Sequence, residues 1–101
     1  MLVDDEAFFL SSVVEGLRTV APGLEVLSAR DGVAALEILD RRPVDVIVTD
    51  IQMPRLDGFG LIAELISRGL DVSVVVLTAY QRPGERERNR LSLVLEYLEK
   101  P

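Results

Sequence analysis

The chain has 101 residues, 49% apolar and 28% charged, a composition suited to one folded domain with its own core and no need of covalent staples. It has no cysteine and no histidine, which excludes a disulfide framework, a zinc ribbon, a thiol nucleophile and the commonest general base. A net charge of −6 argues against direct nucleic-acid binding.

What remains for chemistry is carboxylates, hydroxyls, ten arginines and a single lysine, Lys100, and such an oxygen-rich set suits a hard cation, magnesium or calcium. Apolar runs are short, so no membrane span is expected, and no signal-peptide pattern opens the chain. A cytoplasmic location is the default expectation.

In chain order, Met1–Val3 is a brief apolar run that ends in the acidic "DDE" of Asp4, Asp5 and Glu6. From Ala7 to Val20, apolar residues recur at Phe9/Leu10, Val13/Val14, Leu17 and Val20, a helical stripe closed by "APG". "LEVLSA" (Leu24–Ala29) alternates as a strand does. "DGVAALEILDRRP" predicts a helix opened near Asp31 and stopped by Pro43. "VDVIVTD" (Val44–Asp50) is β-branched and apolar, as a strand buried on both faces should be.

"MPRLDG" is turn chemistry, and "FGLIAELISRG" predicts a short helix with Leu61, Ile62, Leu65 and Ile66 inward. "VSVVVLTA" (Val72–Ala79) is a second central strand. "QRPGERERNR" (Gln81–Arg90) contains no apolar residue, although a helix packing on the sheet is expected there. Beyond it, Leu91, Val94, Leu95 and Leu98 fit helical spacing, while Val94–Leu98 equally fits a last strand; periodicity leaves both open. Strand and helix alternate, so the class is α/β with a parallel sheet.

In parallel α/β sheets, sites form at the carboxyl ends of the strands. Those ends would deliver Asp4 and Asp5, Asp50, Thr78 and, if a fifth strand ends near Leu98, Lys100. Each feature alone is ordinary: acids suit a helix start, Asp caps turns, and Lys-Pro is common in loops. Three carboxylates, a hydroxyl and an ammonium on one edge are not ordinary together.

"VDDE", "VIVTDIQMPRLDG", "VVVLTAY" and "YLEKP" resemble the receiver domain of two-component response regulators, nearly end to end. The resemblance implies a flavodoxin-like, doubly wound parallel sheet of order 2-1-3-4-5 over residues 1–101. It implies a phosphorylation switch in which Asp50 accepts a phosphoryl group from a phosphohistidine on a sensor histidine kinase. Magnesium would be held by Asp5, Asp50 and the backbone carbonyl of Gln52, with Asp4 helping through water. Thr78 and Lys100 would contact the phosphoryl oxygens, Tyr97 would reorient with the state, and the face of the fourth helix and fifth strand would carry the output. By analogy, a DNA-binding output domain would lie outside this chain.

Gln52 and Tyr80 should overlook the phosphoryl group, and a large ring at Tyr80 predicts slow self-dephosphorylation. Three features depart from the family pattern. The first strand begins almost at its end. The last helix is missing, which leaves one sheet face partly bare and suggests an incomplete domain, a homodimer or marginal stability. Arg86, Asn89 and Arg90 stand where small and apolar residues are usual, and Leu93 where glycine is common.

If residues 85–99 were one helix, Lys100 would miss the site; the family register places a strand there instead. The competing function is an interaction module of receiver fold that takes no phosphate. An aspartate-nucleophile phosphatase would want a second Asp where Gln52 stands, and a flavin site would be repelled by "DDE".

Overall fold

A computed structural model describes residues 1–78 and 93–100, with Thr78 described by its backbone. Five strands run parallel: β1 (Leu2–Val3), β2 (Ser28–Ala29), β3 (Val46–Thr49), β4 (Ser73–Thr78) and β5 (Val94–Glu99), in the order β2-β1-β3-β4-β5. Helices α1 (Ala7–Val20), α2 (Gly32–Leu39) and α3 (Gly58–Ser67) alternate with them. The doubly wound α/β sheet of order 2-1-3-4-5 is therefore the observed fold, and residues 94–99 form a strand rather than the end of a long helix. The Arg-rich stretch Gln81–Arg90 and Tyr80 lie outside the described residues.

Register explains two departures from the expected elements. β2 is two residues long rather than six, because its partner among the described residues is the two-residue β1, with Leu2 opposite Ser28 and Val3 opposite Ala29. Two flanking bonds, from the Leu2 amide to the Leu27 carbonyl at 2.8 Å and from the Asp4 amide to the Ala29 carbonyl at 3.0 Å, mark where pairing stops. α1, at about 1.5 Å per residue, outruns the strands it lies beside, so Val20 at its end is solvent-exposed rather than inward. Ile66, in the last turn of α3, is likewise exposed, although Leu61, Ile62 and Leu65 are fully buried.

The core lies on the face of the sheet that α2 and α3 cover. Ile47, Thr49, Val74, Val76 and Tyr97 pack there with Ala35, Leu61, Ile62 and Leu65. Alternate residues of the same strands point to the opposite face, where Val46 and Leu98 are exposed. On that side Leu2, Leu17, Leu24, Val46 and Val48 line an open apolar cavity of about 470 Å³. On the outermost strand, the Tyr97 amide donates to the Glu96 carboxylate at 2.9 Å. Among the described residues, no helix is long and apolar enough to cross a membrane.

Two helix starts fix the loops that matter for the site. Asp31 caps α2 by accepting the Ala34 amide at 2.8 Å, and Asp57 caps α3 by accepting the Gly60 amide at 2.8 Å. α2 ends at Leu39, four residues ahead of Pro43, with Asp40 as its cap. Arg55, between β3 and α3, has φ +66, a left-handed conformation costing a side-chain-bearing residue about 1–2 kcal/mol.

Candidate functional site

Because all five strands are parallel, their carboxyl ends share one edge, and the acidic residues gather there. Asp4 and Asp5 follow β1, and Asp50 follows β3. One carboxylate oxygen from each lies within 4.8 Å of the other two. Asp4 and Asp50 are buried, whereas Asp5 faces solvent.

Lys100 follows β5 and enters this group. Its ammonium lies 2.7 Å from Asp4 Oδ2, 3.1 Å from Asp50 Oδ2 and 3.0 Å from Glu6 Oε1, and 4.7 Å from the centre of the Phe9 ring. Its side chain is 7% exposed. One ammonium thus faces four carboxylates, counting Asp5, and negative charge is left over.

Local chemistry fixes Asp50 in particular. The Ile51 amide donates to Asp50 Oδ1 at 2.7 Å, leaving Oδ2 toward Lys100. Behind it, the Gly58 amide donates to the Ile51 carbonyl at 2.7 Å, and a Cβ at Gly58 would stand 2.2 Å from the Asp50 carbonyl oxygen. Only glycine permits that approach. Thr49, fully buried, donates its hydroxyl to the Asp50 carbonyl at 2.9 Å.

The electrostatics follow from burial and charge count. Burial pushes the Asp50 carboxyl above the usual aspartate range; the Lys100 and Ile51 hydrogen bonds oppose this, and the Asp4 charge adds to it. Burial would lower the Lys100 ammonium, but hydrogen bonds to Asp4, Glu6 and Asp50 outweigh it and hold the group well above the usual lysine range. An over-supply of carboxylates favours a second cation.

The donor set fits magnesium: hard oxygens only, few carboxylates, and an exposed Asp5 side that leaves room for water.

Of the other expected residues, Gln52 lies exposed in the loop after β3. Thr78 ends β4 in register with Glu99, so its backbone is at the expected edge. Tyr97 is buried at 4% exposure on the core face, in register with Val76. Two participants are not what the sequence suggested. Glu6, grouped with the acids that suit a helix start, binds Lys100, and Phe9, placed in the apolar stripe of the first helix, borders the same ammonium. Sequence spacing offers no signal for a contact spanning 94 residues, which only the fold creates. The pairing of the Arg55 guanidinium with the Asp31 carboxylate, Nε to Oδ2 at 2.8 Å, was equally invisible.

Comparison with known proteins gives the family of this fold. The response regulator receiver domain family matches residues 1–101, and the chain belongs to that family. It is 39% identical over its whole length to the response regulator MprA of Mycobacterium leprae and 38% identical to the transcriptional regulatory protein PrrA of Mycobacterium tuberculosis. It spans 43% and 42% of those relatives, less than half of each. Among solved structures, the N-terminal domain of a response regulator receiver protein from Methanoculleus marisnigri superposes with a TM-score of 0.86 at 28% identity, covering 99% of this chain and 81% of that one. A CheY-like receiver domain protein from Methanospirillum hungatei gives 0.80 at 28% identity, covering 100% of this chain and 80% of that one.

Proposed function

We propose that the chain is a phosphorylation-dependent signalling switch with Asp50 as phosphoacceptor. The observation that carries this reading is the meeting of Asp50 with Asp4, Asp5 and Lys100 at the carboxyl edge, from three separate strands. Asp50 Oδ2 attacks the phosphorus of a sensor kinase phosphohistidine; the O–P bond forms as the P–N bond breaks, and the imidazole leaves. Oδ1, held by the Ile51 amide, fixes the rotation of the carboxylate so that Oδ2 presents its lone pair in one direction.

Asp5, Asp50 and the Gln52 carbonyl, with Asp4 through water, would hold magnesium, and the bound ion would supply positive charge against the repulsion between carboxylate and phosphate. Lys100 gives up its hold on Asp50 as the phosphoryl group arrives and neutralises charge on the transferring oxygens. Glu6 and Phe9 keep the ammonium at the site meanwhile. Thr78 binds a phosphoryl oxygen and Tyr97 carries the change of state toward the β5 side. The kinase is the upstream partner, and a DNA-binding output domain is the downstream partner suggested by regulators such as PrrA.

The test is intact mass after incubation with magnesium and a small phosphodonor. Phosphate should add to wild type and not to Asp50→Asn. Addition to neither protein would leave the interaction-module reading; addition to both would move the acceptor elsewhere.

A further inference from the structure

Away from the acidic group, a second carboxylate–cation pair ties two loops together at the same edge. The Arg55 guanidinium forks onto Asp31, Nε to Oδ2 at 2.8 Å and Nη2 to Oδ1 at 3.1 Å. The Asp31 side chain is 10% exposed and also caps α2. One residue on in each loop, the Gly32 amide donates to the Leu56 carbonyl at 3.0 Å, with Gly32 too close to that carbonyl to carry a Cβ. The loop from Ile51 to Asp57 is thus braced against the start of α2 at Arg55 and Leu56, and against its own beginning by the Gly58–Ile51 bond.

Between those braces sits Gln52. We infer that Arg55, through its fork on Asp31, is a positioning residue that holds the Gln52 segment for divalent-cation binding. The inference rests on the magnesium reading given under the proposed function.

Arginine adopts its left-handed φ here although glycine would do so without strain, so the side chain returns something the backbone alone does not need. Exposed ion pairs contribute little to stability, and the guanidinium side of this one is exposed. Geometry is the better account: a planar fork on a nearly buried, doubly used carboxylate fixes direction as well as distance. A carbonyl ligand needs that more than a side-chain ligand does, since it can move only with its backbone.

The experiment compares wild type, Arg55→Gly and Asp31→Asn, metal-free, for magnesium affinity by calorimetry, urea midpoint, and hydrogen exchange at the Gly58 amide. Arg55→Gly should weaken magnesium binding about tenfold, the scale seen when a supporting partner of a metal ligand is lost. Its urea midpoint should hold or rise, because glycine relieves the strained φ. Exchange at Gly58 should quicken. Asp31→Asn, which keeps a capping side chain, should weaken binding similarly, and the double variant no further.

Unchanged affinity in Arg55→Gly, within about twofold of a wild type that does bind, overturns the inference and leaves the phosphorylation reading intact. A fall in midpoint and affinity together reduces Arg55 to a structural role and overturns it too. A wild type that neither binds magnesium nor takes up phosphate overturns both.

Discussion

Two carboxylate–cation pairs stand at the same edge of the sheet, and their carboxyls are shifted in opposite directions. Asp31 faces an arginine fork and a helix-start amide; the Arg55 hydrogen bond outweighs burial and holds its carboxyl below the usual range. Asp50 faces an amide and an ammonium too, yet its carboxyl is pushed up, because burial outweighs those two hydrogen bonds and the Asp4 charge adds to it. The lesson is about burial against hydrogen bonding: where an arginine fork outweighs burial the pair makes a brace, and where burial wins beside one ammonium among several acids the site is left short of positive charge.

The largest effect should come from Lys100→Ala. Removing the ammonium that Asp4 and Asp50 share leaves these buried carboxylates without that partner, at a cost of about 3 kcal/mol near neutral pH. Because the folded Lys100 pKa is raised, its contribution is complete below the unfolded value of 10.5 and is lost only as pH rises through the higher folded value. Urea titrations should therefore show a constant gap to wild type up to mildly alkaline pH, and magnesium should narrow it. An unchanged midpoint would mean the four-carboxylate arrangement is already relaxed by solvent.

Next in size, Asp31→Ala removes both a cap and an ion pair, a loss of about 1–2 kcal/mol. Asp31 has a lowered folded pKa, so this stability is present above the unfolded value of 3.8 and disappears as pH falls through the folded value.

Asp50→Asn should give the smallest change and the opposite sign. With a raised folded pKa, ionised Asp50 weakens the metal-free fold above that value, and the penalty vanishes once pH falls below 3.8. The variant should melt above wild type near neutral pH and match it in acid. A destabilised Asp50→Asn would erase the contrast between the pairs.

Much of this molecule was legible in its sequence. The switch between helical and strand periodicity gave the α/β class, and β-branched runs marked β3 and β4 to within two residues at each end. Carboxyl-end logic collected Asp4, Asp5, Asp50 and Lys100, and all four meet. Strand length was not legible at Leu24–Ala29, because it is set by the short partner β1, not by local alternation. Nor were the pairings of Glu6 with Lys100 and Asp31 with Arg55, since both join loops that only tertiary structure brings side by side. Inward and outward positions failed at Val20 and Ile66, where helices continue past the surface they cover.

The outer border of the sheet has its own consequence. β5 ends the strand order and shows Leu95 and Leu98 to water, the kind of margin to which a neighbouring molecule can add a strand. At Tyr97 the main-chain donor is already claimed by the chain's own Glu96, so a visiting strand would have to displace an acid before it could form that rung.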